Sequence, residues 1–201
     1  MGTTELRKRD NWQTLSGDKA LSAEKDFFKV FREAFEGTVF VLHEQPKHLK
    51  DLYATVVLPQ QTLEQIYNPD IDISKKAWGV KPDFAIENTD NNKIIFGEIK
   101  RQDGWVEEKL PNAGRGNAHE RSCKMFTPGL LKAYREKGNL GDDVLPFWIV
   151  FQGDITRDPK RVREITFWFD EYQDHFFMWR DSMTDQDLID HFDLKLKKHL
   201  L

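Results

Sequence analysis

Phe27, Phe28, Phe31, Ala34 and Phe35 recur at helical spacing, behind the candidate N-cap Ser22 and ahead of the stop Gly37. That pattern predicts a first helix. From Thr38 to His43 the chain turns to β-branched and aromatic residues and predicts a strand. Leu49 to Tyr67 reads as helical with an interruption at Pro59. Asp83–Glu87 and Lys93–Lys100 flank the turn-forming run Asn88-Thr89-Asp90-Asn91-Asn92 and predict a β-hairpin. A Gly- and Asn-rich stretch, Pro111 to Asn117, precedes a short helix near Glu120. A second helix opens at Thr127-Pro128 and ends near Gly138.

Leu145 to Gln152 is nearly continuous in apolar residues, as expected of a strand buried on both faces. Ile165–Phe169 reads as a further strand. Thr184, with Asp187 three residues later, opens a final helix that reaches the basic C-terminus. Phe167, Trp168, Phe169 and Phe176 to Trp179 read as core aromatics. Helices and strands in this order predict an α/β fold with a central mixed sheet flanked by helices. At 201 residues, the chain 1–201 is expected to form a single domain.

Composition narrows the function classes. The longest apolar runs fall far below the roughly 20 residues that cross a bilayer, and the N-terminus shows no secretory pattern. One cysteine, Cys123, cannot form an intrachain disulfide, so a cytoplasmic setting is expected. The formal net charge of −4 conceals a local imbalance. Lys109 to Gly138 holds seven basic residues against two acidic ones, whereas Glu164 to Asp190 holds eight acidic residues and one basic. A chain so polarised can present a basic surface to phosphates, and two ordinary solvated faces would give the same count.

The candidate chemistry begins at Pro82-Asp83 and Glu98-Ile99-Lys100. On a strand, Glu98 and Lys100 are two apart and share a face. A hairpin then brings Asp83 alongside them, with Gly97 leaving the backbone uncrowded. Two carboxylates offer hard oxygen ligands suited to Mg²⁺. An ammonium beside them can hold or help deprotonate a water and stabilise developing negative charge. Phosphodiester hydrolysis needs both parts. An edge strand of alternating charge beside an ordinary turn aspartate would read the same way. The second constellation is Gly114-Arg115-Gly116-Asn117-Ala118-His119-Glu120-Arg121, inside the basic segment. Asn can pair with adenine, Arg with guanine, and Ala can touch a thymine methyl. A Gly-rich loop entering a capped helix is the plainer alternative.

Taken together, Pro82-Asp83, Glu98-Ile99-Lys100 and Gly116-Asn117-Ala118-His119-Glu120-Arg121-Ser122 resemble the EcoRI branch of type II restriction endonucleases. The catalytic motif belongs to the wider PD-(D/E)XK superfamily; the second tract is far more specific. The resemblance implies a restriction-endonuclease-like fold and a site in which Asp83, Glu98 and the main-chain carbonyl of Ile99 ligate Mg²⁺ while Lys100 acts on the water. It implies that Asn117, Ala118 and Arg121, on a tract opened by Gly116, read a central AATT in the major groove. Arg115 and His119 depart from the branch, and Arg115 becomes the candidate reader of an outer C·G pair, although a phosphate contact would suit it equally. The implied reaction is Mg²⁺-dependent cutting of double-stranded palindromic 5′-CAATTG-3′ after the first base, leaving 5′ AATT overhangs, with a companion methyltransferase to protect host DNA.

A palindromic site is met by a two-fold homodimer. The helix from Pro128 to Lys137, with Leu130, Leu131 and Tyr134 on one side, is expected to pair with its twin, or else to pack on its own sheet. Two other functions remain open at this point. A structure-selective nuclease of the superfamily would keep Asp83, Glu98 and Lys100 without the reading tract, and a non-catalytic DNA-binding regulator would keep only the fold.

Overall fold

The computed structural model describes residues 21–66, 78–103 and 118–201. Helix α1 (21–34) already includes Ser22, which therefore lies inside the helix rather than capping it. Then come β1 (Phe40–Glu44), α2 (Gln60–Gln65), β2 (Phe84–Asn88), β3 (Lys93–Arg101), α3 (Ala118–Ser122), α4 (Pro128–Gly138), β4 (Phe147–Gln152), α5 (Pro159–Phe169), β5 (Phe176–Trp179) and α6 (Asp185–His191). The five strands form one mixed sheet in the order β1-β2-β3-β4-β5. β1 pairs antiparallel with β2 and β2 with β3, and β4 and β5 continue parallel to β3. The expected mixed sheet with helical flanks is what the chain forms.

Alternation along the strands sends side chains to two separate apolar layers. On one face Phe84, Ile86, Ile95, Ile99, Trp148 and Val150 meet α1 and the C-terminal helices. Phe27 of α1 reaches Phe84 at 4.4 Å and Trp148 at 5.7 Å between ring centroids. On the other face Ala85, Ile94, Phe96, Phe147, Ile149 and Phe151 meet α4 and α5. Tyr134 of α4 stands edge-on to Phe96 at 5.1 Å. Leu130 and Tyr134 are thus consumed by their own sheet, and Leu131 is half-buried beside them. A twin helix could not use Leu130 and Tyr134 as its contact face, which corrects that part of the dimer expectation.

Two elements depart from the sequence reading. Residues 165–169 form the last turns of α5 rather than a strand. Pro159 sits in the first turn, and the Asp158 carboxylate accepts from the amides of Lys160 and Arg161 at 2.9 and 3.2 Å. This start signal outweighs the strand preference of the aromatic run. Ile165 and Phe169, four apart, then bury on one helical face, while Phe167 is 82 % exposed instead of joining the core. The fifth strand is Phe176–Trp179, where sequence reading saw core aromatics alone. Between Leu49 and Ile66 the chain forms only a 3-10 turn (Leu52–Thr55) and the short α2, which starts after Pro59. The last helix opens on the expected Thr184–Asp187 capping box.

Candidate active site and reading helix

The hairpin register fixes the first cluster. Phe84 pairs with Gly97 across β2 and β3, so one step further Asp83 comes opposite Glu98. Directly opposed residues of antiparallel strands share a face, and Lys100 lies on that face two residues beyond Glu98. Gly97 is what allows this approach. The Phe84 ring lies over it, and a Cβ there would stand 2.0 Å from Cζ of that ring. The backbone at Gly97 is therefore covered, not uncrowded as its sequence context suggested.

Asp83 is held from three sides. Its carbonyl accepts from the amide of Gln45 at 2.9 Å, its Oδ2 accepts from the amide of Ile99 at 2.8 Å, and Lys100 Nζ lies 3.3 Å from the same oxygen. Lys100 also donates to Glu98 Oε2. One ammonium bridges both carboxylates. Burial pushes the Glu98 carboxyl above its ordinary range, against the pull of Lys100. Burial alone would lower Lys100, but the two carboxylates outweigh it and hold the ammonium protonated above its usual range.

α1 adds a third acid to this field. Glu24 is half-buried, and its carboxyl is raised first by burial and then by the charge of Asp83. Sequence reading missed it, although the signal was there: Glu24 stands four residues before Phe28 and seven before Phe31, on the apolar stripe where a carboxylate is costly. Tyr134 closes the site from the α4 side, and its phenol is pushed up by burial. Lys124, in the turn after α3, contributes positive charge towards Glu98.

The donor set fits a hard divalent cation. Asp83 and Glu98 present carboxylate oxygens close enough to share one ammonium, and no cluster of three or more His, Cys, Asp or Glu suited to a metal occurs among the described residues. Two carboxylates with the remaining positions left to water and substrate is the pattern that Mg²⁺ favours. The six histidines form no metal cluster among the described residues. The Cys123 thiol is pushed up by burial, opposite to what a nucleophile requires.

Arg115, Gly116 and Asn117 lie outside the described residues. Ala118 opens α3, and Arg121 on this helix is exposed. His119 is the exception to the expected reading surface. Its side chain is 1 % exposed, its ring lies flat on Trp168 at 5.4 Å with an interplanar angle of 10°, and its Nε2 is 3.4 Å from Glu164 Oε2. A ring so enclosed cannot touch a base, so His119 leaves the reading set. The sequence placed it in a basic, Gly-rich tract and gave no sign of its partners 45 and 49 residues away.

Known proteins match this chain over nearly its whole length. A curated relative from a Mycoplasma species, the type II restriction enzyme MunI, is 65% identical over 201 residues, covering 100% of both chains. A crystal structure of MunI restriction endonuclease in complex with cognate DNA superposes with a TM-score of 0.81 at 64% identity, covering 95% of this chain and 98% of that one. The family model described as type II restriction enzyme MunI matches residues 1–201. A chain with this carboxylate–lysine hairpin, matched from end to end, belongs to the family of the type II restriction enzyme MunI.

Proposed function

We propose that this type II restriction endonuclease hydrolyses double-stranded DNA at the palindrome 5′-CAATTG-3′, after the first base of each strand, with Mg²⁺ as cofactor. The convergence of Asp83, Glu98 and Lys100 at one end of the hairpin carries the reading. Asp83 and Glu98, with the main-chain carbonyl of Ile99, would hold the cation. When bound, it supplies charge to the phosphoryl oxygens and a more acidic water.

The chain's own groups supply the rest. The Ile99 amide fixes the Asp83 carboxylate, so the ligand does not have to be ordered when DNA arrives. Lys100, kept protonated by its two neighbours, orients the attacking water as a hydrogen-bond donor and stabilises negative charge as it develops at phosphorus. In-line attack leaves a 5′-phosphate and a 3′-hydroxyl. Asn117, Ala118 and Arg121 are the proposed readers of the central AATT, and Arg115 of the outer pair. Two protomers related by a two-fold axis would each read and cut one half-site. A structure-selective nuclease would need no reading tract, and a regulator no intact carboxylate–lysine cluster.

Digestion of a mixed-sequence plasmid with Mg²⁺ tests the reading. The expected result is discrete fragments whose ends ligate only to 5′ AATT overhangs. A smear, cutting confined to branched substrates, or uncut plasmid would each overturn it. No helix among the described residues is long and apolar enough to cross a membrane.

A further inference from the structure

α3 has five residues, too few to hold a helical orientation without tertiary contacts. It nonetheless follows directly from Asn117 and carries Ala118 and Arg121, so its placement decides where those groups stand. Its inward side is clear: His119 and Ser122, three apart, are buried, whereas Glu120 and Arg121 are exposed. His119 meets α5 alone among the aromatic contacts described for this helix. The ring lies on Trp168, and its Nε2 faces Glu164, which is itself ion-paired with the buried Arg161. α3 also touches β3, the strand of Glu98 and Lys100.

Packing alone does not account for an imidazole here. Neither ring nitrogen has a hydrogen-bond partner among the described residues, Nε2 only approaching Glu164 at 3.4 Å. An unpaired buried polar atom carries a desolvation cost that an apolar residue in the same slot would avoid. The flat ring on the indole, with one edge turned to the carboxylate, restrains α3 in rotation as well as in depth. An aliphatic contact would restrain depth only.

We propose that His119 is a positioning residue for base recognition: seated on Trp168 and Glu164 of α5, it sets the register of the helix that carries Ala118 and Arg121. Sequence discrimination then depends on a contact that never reaches DNA. This rests on the reading of residues 115–121 proposed above and adds to it the element against which the reading helix is set.

The test compares kcat/KM at the cognate site with kcat/KM at duplexes altered by one central base pair. Wild type, His119→Ala and Asn117→Ala are measured together, with thermal unfolding recorded for each. A purely structural loss reduces the folded fraction and lowers both substrates equally, leaving their ratio unchanged. Rotation or displacement of α3 lowers the ratio. The expected result for His119→Ala is a fall in that ratio of at least about tenfold. Should His119→Ala not fold, Trp168→Leu removes the same contact from the α5 side, and the same fall is expected. An unchanged ratio in the folded variant overturns the proposal. Asn117→Ala separates the two claims: an unchanged ratio there removes the reading tract itself, whatever His119 does.

Discussion

The two halves of the site are assembled by opposite means. Asp83 and Glu98 are brought together by a hairpin, fifteen residues apart and in cross-strand register, with Phe84 closing over Gly97 as the lock. The reading helix has no such local device. It is one short turn of helix whose position depends on α5, 45 to 49 residues later in the chain. Local register makes the carboxylate–lysine cluster a property of a short segment, whereas long-range docking ties the proposed reading helix to α5. The two proposed roles should therefore be separable by substitution.

The largest expected effect breaks the hairpin half alone. Asp83→Ala removes a carboxylate that both Ile99 and Lys100 hold, and cutting should fall on the order of 10³-fold. Binding of the cognate duplex should persist, because the reading helix takes nothing from Asp83. Cleavage rates and gel-shift titrations check both statements, and equal loss of cutting and binding would dissolve the contrast between the halves.

Acid strikes a different long-range contact, one that neither half owns. His175 is buried, with Nδ1 3.0 Å from the carbonyl of Phe147 in β4, and burial pushes its imidazole down to about 4. His119 and His191 are lowered as well, chiefly by burial. Between the unfolded value near 6.5 and about 4, the unfolded chain binds a proton that the folded His175 refuses. The contribution of a neutral His175 is therefore full above pH 6.5 and is lost as pH falls towards 4. The loss from His175 approaches about 3 kcal/mol at its limit. Urea unfolding at stepped pH should show this slope, and His175→Gln should flatten it.

The smallest effect sharpens the comparison from the hairpin side. Gly97→Ala sets a Cβ into the Phe84 ring and should cost about 1–3 kcal/mol. The damage should appear in cutting more than in binding, since the shifted pair lies next to Asp83 and Glu98. Calorimetry with the same two assays would measure it.

Much of this was legible in the chain. The apolar stripe of α1, the hairpin with its Asn-rich turn, the proline-started α4 and the Thr184 cap are local signals, and local physics honours them. The cluster of Asp83, Glu98 and Lys100 was legible for the same reason, because strand alternation and a hairpin suffice to place it. Residues 165–169 misled because strand preference is weak beside a capped helix start and a buried i,i+4 pair.

Sequence alone thus brought Asp83, Glu98 and Lys100 into one cluster and named the hairpin that presents them. Only the tertiary structure decided that Glu24 joins the field of the carboxylates, that Phe176–Trp179 pairs as an edge strand, and that His119 turns inward to α5. The reason is physical: periodicity records which face of an element is apolar, whereas the partner of that face is settled by packing among segments far apart in the chain.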